Sequence, residues 1–163
     1  MKTLFNNKFL DHNPQSYGEG AYRIVDFVDQ SDEIESNGEK YITLVHSEKY
    51  LGEIKEACKF GSMLAEVSLS PGSYEAACIA VGLTILASQQ NDFAVVRPPG
   101  HHARNEVAAG FCFFNNIAIA TQKLINEGKK VFILDIDGHH GDGTQSIFYH
   151  RILKNVLSVL LMG

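Results

Sequence analysis

Two apolar runs of this chain lead directly into histidine-rich segments, and this pattern constrains the fold more than any other feature. The run 93–96 is followed by His101 and His102, and the run 131–134 is followed by the segment 135–144. Helical stretches separate the runs, and strands that alternate with helices indicate an α/β fold with a mostly parallel sheet. Ligand sites of such sheets lie beyond the carboxyl ends of the strands, so we expect both histidine segments on one rim.

Other elements are predicted from caps and apolar spacing. Helices are expected where apolar residues recur every three or four positions, namely over 48–60, 74–90, 114–127 and 145–150. Ser47 and Ser73 are the predicted caps of the first two helices, and Gly61 and Gly128 the predicted ends of the first and third. Strands are also predicted over 41–45 and 156–162, and the polar stretch 30–40 is predicted to be a loop.

Length and composition limit the class of protein. The chain has 163 residues, of which 45% are apolar and 20% charged, as expected for a single globular domain over 1–163. The formal net charge is −5 and no basic stripe is present, which argues against direct nucleic-acid binding. No run approaches the roughly 20 apolar residues of a membrane span, so no membrane association is expected.

The cysteines indicate the compartment. Cys58, Cys78 and Cys112 lack the CxxC spacing, and no apolar stretch of signal-peptide length precedes them. An odd number of cysteines without a secretion signal predicts reduced thiols in a cytoplasmic protein. We expect Cys58 and Cys78 to pack in the core on helix faces.

The segment 135–144 combines carboxylates, imidazoles and glycines. In an extended chain Asp137 and His139 point to the same side, because side chains alternate with a period of two. One carboxylate and one imidazole on one side suit zinc. A neutral imidazole from the pair His101–His102 could take a proton from a metal-bound water. Asp135 and Asp142 would orient those imidazoles.

The remaining histidines carry no such pattern. We interpret His12, His46 and His150 as ordinary surface or loop residues.

Three sequence signatures occur in order along the chain: RPPGHHA at 97–103, GFCFFNN at 110–116 and DIDGHHGDGTQ at 135–145. They resemble the histone deacetylase and acetylpolyamine amidohydrolase superfamily, as do the stretches 46–50 and 70–77. The resemblance runs from about residue 41 to 149. It implies a three-layer arginase/deacetylase-like fold and a zinc-dependent amidohydrolase, with an acetylated amine as substrate.

The resemblance assigns a role to each matching residue of the centre. Asp137 and His139 would be zinc ligands. His102 would be the general base and acid, paired with Asp142. His101 would be its electrostatic partner, paired with Asp135.

The same resemblance extends to the substrate and to a second ion. The carbonyl of Gly110 would accept the substrate amide N–H, Phe111 would line the acyl tunnel, and Cys112 would lie near the acetyl pocket. Asp135, with the backbone carbonyls of Asp137 and His139, would help bind a structural potassium ion.

The chain departs from the family pattern after residue 142. It contains no Asp or Glu beyond Asp142 and no tyrosine beyond Tyr149, whereas the family takes its third zinc ligand and its oxyanion-stabilising tyrosine from well downstream. Leu160 and Met162 match positions where the family has serine and histidine. We therefore expect an incomplete deacetylase domain, truncated at the C-terminus and impaired in catalysis.

Several alternatives stay open. The chain could be a non-catalytic remnant that binds a metal or a partner, or forms a homo-oligomer, through its C-terminal edge strand. A manganese hydrolase of the arginase type fits the run 139–143 poorly. The substrate could be an acetyl-lysine protein, an acetylpolyamine or a related amine, and the metal could be iron instead of zinc.

Overall fold

The computed structural model describes residues 1–14, 16–28, 32–149 and 156–161, and its strands pair mainly in parallel. Strand β1 (Thr3–Phe5) lies between β2 (Asp32–Glu33) and β5 (Phe93–Ala94), both parallel to it. Strand β6 (Val131–Asp135) pairs in parallel with β7 (Val156–Leu161). A short antiparallel hairpin joins β3 (Met63–Leu64) to β4 (Val67–Ser68). The α/β class is confirmed, although hydrogen bonds divide the described parallel strands into two groups.

Four α-helices surround these strands: α1 (Glu48–Phe60), α2 (Ser73–Gln90), α3 (Asn116–Asn126) and α4 (Asp142–Phe148). Helix α1 is as predicted, because the Ser47 side chain accepts the Tyr50 N–H and Gly61 ends the helix at a φ of 61°. Helix α2 is buried on most of its faces, since it contacts α1, α3, β1 and β5. Within the described residues, no helix combines the length and apolar character needed to cross a membrane.

The core falls into three clusters. One lies between α1, α2 and α3, and another lies under β1 and β5. Cys58 and Cys78 are buried in the first cluster as free thiols, which confirms their predicted packing role. The third cluster joins α3, β6 and α4 through Ala118, Ile133, Ile147 and Phe148. This cluster fixes the carboxyl end of β6 against α4.

The predicted strand 41–45 is wrong, because Glu39–Leu44 forms a 3-10 helix. The chain enters it through Gly38, whose N–H donates to the carbonyl of Cys78. A Cβ on Gly38 would lie 2.5 Å from a methyl group of Val81, so the chain runs tightly against α2. Its apolar residues therefore pack on helices, and Ile42 is fully buried.

The predicted cap of α2 is also wrong. The helix begins at Ser73, and its N-cap is Gly72, which makes no side-chain cap bond. Ser73 Oγ is instead 2.6 Å from His12 Nδ1 and accepts the N–H of Ser70 at 2.7 Å. A side chain at Gly72 would overlap the backbone of Asp11, which explains the glycine.

Smaller differences concern the ends of elements. Helix α3 begins at Asn116 and α4 ends at Phe148, each shifted from its prediction, and β5 stops at Ala94. Strand β1 was not predicted, and part of the predicted loop 30–40 pairs with it as β2. His150 and Met162 lie outside the described residues.

Arg97 organises a buried polar network and is only 2% exposed. Its guanidinium donates to both carboxylate oxygens of Glu19, at 2.8 and 2.5 Å. It also donates to the carbonyls of Phe9 and His12, at 2.8 and 2.6 Å. The first turns of the chain are thereby held against the start of the segment that carries His101 and His102.

His12 and His46 are not surface residues, contrary to their interpretation above. Both are almost fully buried. Burial, together with Arg97, lowers the pKa of His12 from 6.5 to about 3. Burial also lowers the pKa of His46 to about 4, although backbone carbonyls partly oppose this. Both side chains lie in the core because tertiary hydrogen bonds satisfy their nitrogens.

Glu19→Ala should destabilise the fold strongly, because it leaves the buried Arg97 guanidinium without its counterion. Breaking such a pair costs about 3–5 kcal/mol, which urea unfolding would measure. The exposed Lys49–Glu53 pair offers a matched control, since Glu53→Ala should cost less than about 1 kcal/mol. Equal losses in the two variants would contradict the structural role of the buried pair.

Stability should fall in acid because of the two buried imidazoles. An unfolded chain protonates histidine near pH 6.5, but the folded pKa values are about 3 and 4. Their stabilising effect is therefore complete above pH 6.5 and declines as the pH falls toward 4 and then 3. Urea unfolding at a series of pH values should show His46→Gln with a slope shallower by up to about 1.4 kcal/mol per pH unit. An unchanged slope in His46→Gln would refute the expectation.

Candidate metal and histidine site

Two histidine–aspartate pairs form the centre of the site. His101 Nδ1 lies 2.9 Å from Asp135 Oδ2, and His102 Nδ1 lies 2.7 Å from Asp142 Oδ1. The imidazole centroids are 4.1 Å apart. Asp135 ends β6 and Asp142 begins α4, so the third core cluster determines the spacing of the carboxylates. The structure thus contains both hydrogen bonds that the resemblance implies, while the catalytic roles stay predictions.

The two carboxylates differ in their second oxygen. Asp142 Oδ2 accepts hydrogen bonds from Arg104, the shorter at 2.8 Å, whereas Asp135 Oδ1 accepts only the N–H of Asp137 among the contacts described. Partial burial raises the pKa of Asp142, but hydrogen bonds from His102 and Arg104 outweigh it and lower that pKa. Arg104 therefore neutralises part of the negative charge on the Asp142 carboxylate that faces His102.

The Gly110–Phe111 segment forms a tight turn beside His102. Gly110 and Phe111 have φ angles of 52° and 68°, and Ala109 and Cys112 exchange two backbone hydrogen bonds across them. A Cβ on Gly110 would overlap Cδ2 of His102, so only glycine permits this approach. The turn is supported by Glu66, which accepts the Gly110 N–H at 3.0 Å.

The predicted substrate-binding residues lie together in this turn. Cys112 is fully buried, and its Sγ donates to the Gly110 carbonyl at 3.3 Å. Burial raises the pKa of the Cys112 thiol to about 12, so the group is a neutral donor. Phe111 is partly exposed, and a Cβ on Gly18 would lie 3.9 Å from its Cζ. Their proposed contacts with substrate stay predictions.

Asp137 and His139 lie at a distance that suits a shared metal ion. Asp137 Oδ1 is 3.1 Å from His139 Nδ1 and accepts the His139 backbone N–H at 2.8 Å. Two ligands of one tetrahedral zinc lie about 3.4 Å apart when each bond is near 2.1 Å. The His139 N–H lowers the pKa of Asp137, which keeps its carboxylate available to a cation. This pair fits two positions of a zinc shell.

The remaining positions of that shell are not supplied by the part of the chain that the structure describes. No group of three or more His, Cys, Asp or Glu residues there could hold a metal ion. Asp135 gives both oxygens to protein partners, His101 and the N–H of Asp137. Its predicted role at a potassium ion is not tested by these contacts.

Comparison with known proteins identifies the family. The family model described as "Histone deacetylase domain" matches residues 20–160. The chain belongs to the histone deacetylase family. It is 39% identical over 142 residues to "Histone deacetylase 18" of Arabidopsis thaliana, covering 74% of this chain and 21% of that protein. It is 47% identical over 94 residues to "Acetylpolyamine amidohydrolase" of Mycoplana ramosa, covering 53% of this chain and 28% of that protein.

The fold comparison agrees with this family membership. The solved structure titled "Crystal Structure of HDA15 HD domain" matches with a TM-score of 0.76 and 28% identity. The match covers 90% of this chain and 49% of that chain. The chain therefore has the histone deacetylase fold over about half of a domain, and its matches cover 21% and 28% of the two curated relatives above.

Sequence reasoning missed three residues that shape the site: Arg104, Glu66 and His46. Arg104 follows the histidine pair closely, so its charge was a usable signal. Glu66 is on the turn between β3 and β4 and reaches Gly110 only through the fold. His46 is bonded to Asn105 and Asn115, more than fifty residues away in sequence.

Gly143→Ala should displace the backbone that carries His102. A Cβ there would lie 2.5 Å from the carbonyl oxygen of Ala103, so the two segments must separate. Gly52→Ala in α1 is the matched control, because a Cβ there meets nothing within 4 Å. Urea unfolding should show a loss of about 1–3 kcal/mol for Gly143→Ala and a gain of about 0.5–1 kcal/mol for Gly52→Ala. A gain in both variants would exclude the tight approach.

Proposed function

We propose that this chain contributes the proton-transfer residues and two metal ligands of a zinc-dependent deacetylase. The substrate class is an acetyl-lysine protein, an acetylpolyamine or a related acetylated amine in the cytoplasm. The observation that carries the proposal is the pairing of His101 with Asp135 and of His102 with Asp142 beside the Asp137–His139 pair. Family membership supports the reaction class.

His102 is the proposed proton carrier. Its Nδ1 is engaged by Asp142, so Nε2 is the nitrogen that can receive a proton from water during attack on the acetyl carbon. The protonated ring then passes that proton to the departing amine nitrogen, and acetate and a free amine are formed. Asp142 maintains the ring orientation and tautomer through both transfers.

The neighbouring residues orient substrate and charge in this proposal. His101, held by Asp135, is the electrostatic partner of His102, whose ring centroid lies 4.1 Å away. The Gly110 carbonyl accepts the substrate amide N–H, and Phe111 lines the acyl chain. A zinc ion held by Asp137 and His139 would supply Lewis-acid polarisation of the acetyl carbonyl and of water.

A second candidate function is a non-catalytic partner-binding or self-associating protein. The outward side chains Phe132, Leu134 and Ile136, on and just after β6, are 55–77% exposed. Three apolar side chains with this alternation would favour association. Light scattering of the purified chain distinguishes the candidates, since a monomer argues against an oligomer formed through this face.

Zinc binding should be weak and should depend on the Asp137–His139 pair. With two protein ligands in place of the usual three, we expect a chelator-competition assay to show an affinity well below that of a site with three protein ligands. Asp137→Asn should remove binding, whereas His102→Ala should leave it unchanged. Metal binding that survives Asp137→Asn would disprove the assignment of this ligand.

Deacetylation by the 163-residue chain alone should be slow or absent. Loss of an oxyanion stabiliser alone costs about 10²–10³ in rate, and an incomplete metal shell lowers it further. Any turnover of acetyl-lysine or acetylpolyamine substrates should disappear in His102→Ala. Turnover at the rate of the Mycoplana ramosa relative would contradict the expected impairment.

A further inference from the structure

His46 is a buried imidazole with both nitrogens bonded to the main chain. It is 2% exposed, and its ring stacks on Tyr50 at a centroid distance of 5.3 Å. Nδ1 lies 3.0 Å from the carbonyl oxygen of Asn105, and Nε2 lies 3.0 Å from the amide nitrogen of Asn115. A carbonyl can only accept and an amide N–H can only donate, so Nδ1 carries the proton and Nε2 the lone pair.

The bond to Asn105 completes a regular pattern along the segment that carries His102. We call residues 101–105 the histidine loop. Its alternate carbonyls, those of His101, Ala103 and Asn105, each accept at least one hydrogen bond from outside the loop, and that of His101 also accepts the Thr144 hydroxyl at 3.5 Å. The donors are the Thr144 N–H at 3.0 Å, the Asn115 side-chain amide at 2.9 Å and the His46 ring at 3.0 Å. These donors, from α4, from the N-cap of α3 and from His46, hold the main chain of the loop at three positions.

Asn115 connects His46 to the middle of the histidine loop. Its backbone N–H donates to His46, while its side-chain amide donates to Ala103 and to Thr144 Oγ1 at 3.2 Å. Its Oδ1 accepts the N–H of Ala118, the N-terminal cap bond of α3. His46 thus acts on the loop directly at Asn105 and indirectly, through Asn115, at Ala103.

We propose that His46 is a positioning residue for His102. It holds the main chain of the histidine loop so that the His102 ring faces Asp142 and lies against Gly110. The inference rests on the proposed function in one respect, the role of His102 as proton carrier. The positioning itself requires neither metal nor substrate.

Two variants separate hydrogen bonding from packing. His46→Phe keeps an aromatic ring against Tyr50 but removes both hydrogen bonds, whereas His46→Gln offers one donor and one acceptor. The ring tautomer of His102, read from its ¹⁵N chemical shifts in the metal-free 163-residue protein, reports the bond to Asp142. Amide hydrogen exchange at Thr144 reports the bond to His101, and amides inside α2 report global stability.

His46→Phe should convert the single Nδ1–H tautomer of His102 into a mixture. It should also speed exchange at Thr144 by about tenfold or more, with α2 amides little affected and with recovery in His46→Gln. A parent-like tautomer and parent-like exchange at Thr144 would overturn the proposal. Acceleration in α2 equal to that at Thr144 would also overturn it, since His46 would then serve only global stability.

These readouts are independent of zinc binding and turnover. Asp137→Asn, which tests the proposed function, should leave the His102 tautomer unchanged, because the hydrogen bonds described for Asp137 reach Asp135 and His139 and not His102 or Asp142. A failed zinc assay with an intact His46 effect would therefore reject the metal assignment alone. An intact zinc assay with no His46 effect would reject the positioning role alone.

Discussion

The buried pair of Arg97 and Glu19 is the interaction on which the geometry of the site depends. A guanidinium removed from water is tolerated only when its donors are satisfied. Here two carboxylate oxygens and two backbone carbonyls satisfy it. Arg97 lies directly before Pro98, Pro99 and Gly100. Its hydrogen bonds therefore fix the position of the main chain where the segment leading to His101 and His102 begins. The N-terminal turns are therefore connected directly to the segment that carries the site.

The chain is held closely between that anchor and the end of the histidine loop. Asn116 donates to the carbonyl of Pro98 at 3.2 Å, and a Cβ on Gly100 would lie 2.7 Å from the Asn116 amide nitrogen. The start of α3 thus supports both ends of the segment, through Asn116 on one side and Asn115 on the other. Hydrogen bonds from side chains to main-chain carbonyls hold the segment that carries His102, and Asp142 holds its ring.

The residue types of the site could be predicted from the sequence more completely than the hydrogen bonds that hold those residues in place. The segment 135–144 carries its ligand types and spacing within a few residues, and its position after a strand followed from the alternation of elements. His46 could not be found in this way, because its partners are distant in sequence and a single histidine has no local pattern. The apolar run 41–45 has strand composition, but in the described structure its side chains pack in the cluster between α1, α2 and α3, so tertiary packing overrides its local preference.

The same contrast applies within the metal pair. Asp137 and His139 are bonded to each other through a local turn, so their mutual arrangement needs only three consecutive residues and the end of β6. His139 is nevertheless 83% exposed, and the other contact described for its ring is an edge-on approach to His102 at a centroid distance of 6.2 Å. The local sequence therefore determines that Asp137 and His139 face the same cation. The affinity for zinc depends in addition on groups that restrict the His139 ring and complete the set of metal ligands. The two histidine–aspartate pairs already have hydrogen bonds that restrict their rings. The proton-transfer residues of this site are therefore held in place more firmly than its metal ligands.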